Sequence, residues 1–179
     1  MLGPWIFGYG SLIWRPAFAY ERRVPAFVMG YMRRFWQASP DHRGTEEDTG
    51  RVVTLLEAPG ERCHGMAYQL RAEEAPAILE ALDYRERAGY QRVFTSLHTA
   101  ELGVIHDGLL YVADGKNPNY IGPATEEDLA EVIQRAHGPS GSNRDYLLRL
   151  HQALEEMQAE DPHITKLARL VASSALPTS

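Results

Sequence analysis

Hydrophobic and polar positions follow two different rhythms along the chain. Trp5-Ile6-Phe7 is a short apolar run that reads as a buried strand close to the first residue. Pro25 to Trp36 is rich in aromatic and β-prone residues and predicts a second strand. A polar loop follows from Ser39 to Gly50. Arg51–Glu57 and Cys63–Leu70 then read as two further strands, separated by a turn at Pro59-Gly60. From Glu73 to Arg85 the apolar residues Ala75, Ile78, Leu79 and Leu82 take helical spacing, with Pro76 tolerated in the first turn. Strand character returns at Tyr90–Leu97, Val104-Ile105 and Leu109–Val112, and Glu101-Leu102-Gly103 predicts a hairpin turn. The last third is helical. Thr125–Asp128 resembles a capping box ahead of Leu129, Val132, Ile133 and Ala136, with Gly138 as the stop. Ser142 starts a second helix carrying Leu147, Leu148, His151 and Leu154. Asp161-Pro162 opens a third that ends near Val171. Strands first and helices last predict an α+β fold, a mixed or barrel-like sheet with helices on one side, not a doubly wound parallel sheet.

Composition narrows this only a little. A chain of 179 residues, 44% hydrophobic and 23% charged, suits a single globular domain over 1–179. The net charge of -6 offers no global basic field, so neither nucleic acid nor an anionic membrane is an expected partner. Basic residues do cluster locally, at Arg22-Arg23, Arg33-Arg34 and Arg43. The single cysteine, Cys63, permits no intramolecular disulfide and fits a reducing compartment. No segment reads as a leader or approaches the roughly 18 apolar residues of a membrane span. A soluble cytoplasmic protein is the expectation.

Three stretches carry possible chemistry. In Phe7-Gly8-Tyr9-Gly10-Ser11-Leu12 a buried strand runs into a turn with glycine on both sides of a tyrosine. Such a turn is either a plain corner or a nest of backbone N–H groups for a carboxylate or oxyanion. It is not a dinucleotide loop, because the third glycine is missing. In Leu82-Asp83-Tyr84-Arg85-Glu86-Arg87-Ala88-Gly89-Tyr90 a glutamate sits between two arginines where a helix gives way to a strand. Alone, this reads first as surface charge pairing. The flanking Tyr84 and Tyr90 offer a second reading, walls of a partly desolvated pocket in which a carboxylate becomes a stronger base. The third stretch, Arg34 to Gly44, sets cations and His42 beside aromatic residues. It is either an edge strand with a solvated loop or a site for a carboxylate-bearing ligand. Seven scattered histidines show no zinc-ligand spacing, so no metal cofactor is expected. Cys63 and His64 are strand neighbours on opposite faces and make a poor catalytic pair.

Taken together, Tyr9–Trp14, Arg34–Gln37 with Asp41–Thr45, Gly50–Leu55, Tyr84–Tyr90 and Gly138–Asn143 occur in an order and spacing that resembles the ChaC family of γ-glutamylcyclotransferases. The likeness runs from about Trp5 to Val171. It implies a small mixed β-barrel with flanking helices, and cleavage of glutathione to 5-oxoproline and cysteinylglycine without a cofactor. By this resemblance Glu86 is the catalytic residue, Tyr9, Gly10, Ser11 and Leu12 form the substrate loop, and Tyr120 contacts ligand. Arg34 and Arg43 are candidates for the glycyl carboxylate. Arg87 and Ala88 stand where the family more often has lysine and glycine. Other γ-glutamyl peptides or γ-glutamylamines, or γ-glutamyl binding without catalysis, are the alternatives.

Overall fold

The computed structural model describes residues 2–86, 89–113 and 115–173, with Arg85 and Glu86 as backbone only. The apolar runs form five long strands: β1 (Leu2–Gly8), β2 (Arg22–Ser39), β3 (Gly50–Arg71), β4 (Tyr90–Thr99) and β5 (Gly103–Ala113). They close into a barrel in the order β1-β3-β2-β4-β5. β1 is antiparallel to β3, with Ile6 opposite Tyr68, and parallel to β5, where Ile6 meets Leu109. The barrel is therefore mixed, as the pattern predicts. β4 and β5 form the expected hairpin, paired from Tyr90 opposite Ala113 to Thr99 opposite Gly103 with one register shift between Thr95 and Leu97.

One expectation fails here. Arg51–Glu57 and Cys63–Leu70 are not two strands joined by a turn but parts of the single strand β3. Gly60, at φ 87°, accommodates a left-handed residue that bends the strand without reversing it. A Pro-Gly pair supports either outcome, and residues 59–62 are exposed at the bend. β2 has a comparable break. Its buried side chains are even-numbered at Val24, Ala26 and Val28 but odd-numbered at Arg33, Phe35, Gln37 and Ser39. Gly30, at φ 82°, sits where the alternation shifts.

Contacts divide the chain into two compact units, residues 1–33 with 55–118 and residues 34–54 with 119–179. In the first unit, α1 (Ala75–Glu86) buries Ala75 and Leu82 in a cluster with Ile6, Leu70, Leu109 and Tyr111. Ile78 and Leu79 pack half-buried against it. Full burial of a leucine contributes about 1.5–3 kcal/mol, so Leu82 is a strong anchor for the helix end.

In the second unit α2 (Glu126–Arg135), α3 (Asn143–Glu156) and α4 (Pro162–Ser173) pack on one another. All three begin at the predicted caps. Thr125 Oγ1 accepts from the Asp128 N–H at 3.1 Å, Ser142 Oγ from Asp145 at 3.0 Å and Asp161 Oδ1 from Ile164 at 3.2 Å. The predicted stop at Gly138 is corrected. α2 ends at Arg135, Ala136 is already extended, and Gly138 lies in a two-residue strand, β6 (His137–Gly138), paired with β7 (Gly141–Ser142). A Cβ on Gly138 would stand 2.3 Å from the His42 carbonyl oxygen, so glycine is needed there for close backbone approach. Against α4, the Phe35 N–H of β2 donates to Nε2 of buried His163 at 3.1 Å. His163 Nδ1 faces Glu126 Oε1 at 3.3 Å, and Lys166 binds the other oxygen of Glu126. Burial holds the His163 imidazole below its ordinary pKa. Among the described residues, no helix is long and apolar enough to cross a membrane.

Candidate active site

The turn after β1 is clamped from several sides. β1 ends at Gly8, where a Cβ would stand 2.6 Å from the Leu12 Cβ, so a side chain there would prevent the chain from folding back. Ser11–Ile13 form one 3₁₀ turn, with the Ile13 N–H on the Gly10 carbonyl and the Arg15 N–H on the Ser11 carbonyl. Tyr9 is buried, and its hydroxyl donates to the Tyr111 carbonyl at 2.7 Å. The Tyr68 hydroxyl donates to the Leu12 carbonyl at 2.6 Å and also reaches Ile13. Burial raises the Tyr68 pKa to about 12, so it stays a donor at any working pH.

Beneath the turn lies a residue whose role the sequence reading missed. Arg33 is 2% exposed, donating through Nη1 to the Tyr9 carbonyl and through Nη2 to the His64 carbonyl, each at 2.6 Å. The carbonyls of Tyr9, Gly10, Ser11 and Leu12 are thus all engaged by donors of the protein. In a planar trans peptide the N–H points opposite to the carbonyl, so these bonds also fix where the N–H groups of Gly10 to Ile13 point. A buried guanidinium behind them adds a positive potential that favours an anion at the turn. Arg33 was legible in principle. Strand alternation puts it on the same face as Phe35, which had to be core.

α1 delivers its last residue, Glu86, to the junction with the hairpin. The Glu86 side chain, and all of Arg87 and Ala88, lie outside the described residues. The expected pair of tyrosine walls is corrected: Tyr84 is 65% exposed, whereas Tyr90 packs against the core beneath α1. Helical spacing accounts for this, because Leu82 faces the core and a residue two positions later cannot. Gly89 has φ 97°, and a Cβ there would meet the Asn117 amide nitrogen at 2.6 Å.

The remaining candidates lie in the second unit. Arg34 is half-buried with its guanidinium 5.9 Å from the Trp36 ring centroid. Tyr120 bridges to Gln37, and two backbone hydrogen bonds, from Ala38 to Asn119 and from Ile121 to Trp36, fix it beside that stretch of β2. Tyr120 thus shares the face of Gln37, whereas strand alternation turns Arg34, three positions before Gln37, to the opposite face. Arg43 is elsewhere and buried, donating to the Ser142 carbonyl at 3.1 Å, 3.7 Å from Asp145 and over the Tyr146 ring. Cys63, the sole cysteine, is 2% exposed, and its Sγ faces the His64 carbonyl at 3.8 Å. The His64 ring packs on Phe27. Among the described residues, no three His, Cys, Asp or Glu side chains gather closely enough to hold a metal ion.

Comparison with known proteins gives one consistent result. Residues 4–174 match the family model described as ChaC-like protein. The chain is 43% identical over 182 residues to glutathione-specific gamma-glutamylcyclotransferase 1 of Rattus norvegicus, covering 98% of this chain and 81% of that protein. It is 44% identical over 175 residues to gamma-glutamylcyclotransferase 2-3 of Arabidopsis thaliana, covering 93% and 87%. The crystal structure of a glutathione-specific γ-glutamyl cyclotransferase from yeast superposes with a TM-score of 0.88 at 33% identity, covering 97% of each chain. With its barrel, its clamped turn and these likenesses, the chain belongs to the ChaC-like family.

Proposed function

We propose that this protein is a glutathione-specific γ-glutamylcyclotransferase. The observation that carries the reading is the Tyr9–Leu12 turn, its carbonyls engaged by protein donors and a buried guanidinium behind it. It joins the family membership and the 42–43% identity to relatives named for this activity. In a γ-glutamyl amide the α-amino nitrogen attacks the γ-carbonyl carbon, a five-membered ring forms, and the amide bond to cysteinylglycine breaks. The substrate supplies the nucleophile. The protein's part is to curl the glutamyl chain, pass protons from the attacking to the departing nitrogen and stabilise charge. Holding such a chain in its reactive conformation can lower an intramolecular barrier by up to about 7–11 kcal/mol.

The turn binds the glutamyl carboxylate or the developing oxyanion through backbone N–H groups. Glu86 takes one proton from the substrate ammonium and delivers it to the departing amine, acting as base first and acid second. The second proton that the ring nitrogen sheds on becoming a lactam is taken up by the released amine, which leaves as an ammonium. Arg34 reads the glycyl carboxylate. The guanidinium of Arg43, already bound to Ser142 and Asp145, is less suited to that task. The reaction belongs to a reducing, cytoplasmic setting, in keeping with the buried Cys63 thiol.

The test is release of 5-oxoproline from glutathione by the wild type and Glu86→Gln, with γ-glutamylcysteine as comparison substrate. Glu86→Gln retains glutathione binding but loses about 10²–10⁴-fold in turnover. Glu80→Gln, exposed on the same helix, turns over normally. γ-Glutamylcysteine, lacking the glycyl carboxylate, is the poorer substrate. A Glu86→Gln enzyme within a few-fold of wild type would refute the base assignment.

A further inference from the structure

Tyr111 offers two polar groups to two different elements. Its backbone carbonyl accepts the Tyr9 hydroxyl at 2.7 Å, while its own hydroxyl donates to Asp83 Oδ1 at 2.8 Å. Tyr9 belongs to the turn after β1. Asp83 belongs to α1 and stands three residues, about 4.5 Å of helical rise, before Glu86. We propose that Tyr111 is a positioning residue that holds the glutamyl-binding turn and the end of α1 at one fixed spacing. This inference rests on the assignment of the turn and Glu86 made above.

The second leg of the contact comes from the same hairpin. Arg92 on β4 lies directly opposite Tyr111 on β5, and both side chains converge on Asp83. Arg92 Nε donates to Oδ1 at 2.7 Å, and Nη2 donates to Oδ2. A cross-strand pair therefore grips one carboxylate of α1 in a fork. Apolar packing at Leu82 already secures the helix against the barrel, but packing is non-directional. It resists lifting of the helix more than axial slip or rotation. Directional bonds to Asp83 oppose those two motions, in the last turn before Glu86.

The grip also persists across the working pH range. Burial raises the Tyr111 hydroxyl to about 12, and the Arg92 hydrogen bond holds the Asp83 carboxyl below its ordinary value. Asp83 is itself close to half exposed, so the fork adds little to folding but governs alignment. A displacement of about 1 Å at a reacting pair is enough to cost about 10²-fold in rate.

Tyr111→Phe removes the hydroxyl and leaves the carbonyl bond to Tyr9 in place. Steady-state kinetics on glutathione are expected to show kcat lowered about 10- to 100-fold, with KM within twofold and the thermal midpoint within a few degrees of wild type. Asp83→Ala is expected to match it. Asp83→Asn retains an acceptor for the Tyr111 hydroxyl and recovers most of kcat, a rescue that a purely structural role would not produce. The double variant Tyr111→Phe/Asp83→Ala is no slower than either single, because both break one link. Tyr111→Phe with wild-type kcat overturns the inference. Should that variant fail to fold, Asp83→Ala with wild-type kcat overturns it equally. Glu86→Gln separates the two levels: if it is inactive while Tyr111→Phe is normal, only the positioning role falls. If Glu86→Gln is active, the base assignment falls and takes this inference with it.

Discussion

In the first unit Tyr9, Tyr111, Asp83 and Arg92 form one run of polar contacts; in the second, Phe35, His163, Glu126 and Lys166 form another. Each ties a backbone group of the strand-and-turn framework to a carboxylate on a helix. They differ in what can titrate. The first is relayed by tyrosine hydroxyls, and Tyr111 is held near 12. The second is relayed by a buried imidazole held below its ordinary value, chiefly by desolvation. His163 Nε2 accepts from a backbone N–H, so that nitrogen is unprotonated and Nδ1 carries the hydrogen toward Glu126. A proton on Nε2 would set two donors face to face. The lesson is that one wiring pattern serves alignment where its relay is inert to protons, and acid-sensitive stability where the relay is histidine.

The contrast breaks most directly at His163. His163→Ala leaves the buried Phe35 N–H unpaired and opens a void, and is expected to cost about 2–4 kcal/mol in chemical denaturation. Turnover per folded molecule is retained, the reverse of the Tyr111→Phe pattern. Parallel losses of stability and kcat would erase the distinction.

A smaller effect follows from acid. With the folded imidazole below its ordinary 6.5, the unfolded chain takes up the proton first as pH falls. The stability contributed by neutral His163 is thus complete above about pH 6.5 and is lost progressively below it. Thermal midpoints measured from pH 7.5 down to 5 should fall for the wild type and fall less for His163→Gln. Identical slopes would mean that some other group sets the acid response.

The smallest expected change sharpens the comparison at the carboxylate itself. Thr125→Ala removes the cap from the turn that carries Glu126 and should cost about 1 kcal/mol. Combined with His163→Ala it should cost less than the sum, because both variants loosen one contact. Strict additivity would show that Glu126 is placed by the helix alone.

Much of this molecule could be read from residue order. The helix starts were legible because Thr125, Ser142 and Asp161 announce caps by local chemistry, and the strands because their apolar runs have no helical alternative. The bend at Pro59-Gly60 was not, since the same pair serves a reversal or a bulge and only the barrel's closure decides. Gly138 was misread for a similar reason: a glycine after a helix looks like a stop, but this one makes room for a distant carbonyl. For the candidate site, the turn and Glu86 were picked out by the ordered set of motifs shared with the family, since on local pattern alone they read first as a plain corner and a surface ion pair. Arg33 and Tyr111 were not, because their importance lies in backbone carbonyls and a helix brought to them from far along the chain. In the sequence Arg33 is only one member of a local basic cluster, and the shift at Gly30 is what turns it inward.

Cys63 has a bearing on redox chemistry. An enzyme that works on glutathione meets its substrate together with the oxidised disulfide form, which exchanges with any thiolate it can reach. The Cys63 sulfur is enclosed in β3 and directed at a neighbouring carbonyl, so the approach required for exchange is closed in the folded protein. Under the proposed activity, turnover of glutathione is thereby kept separate from glutathionylation of Cys63.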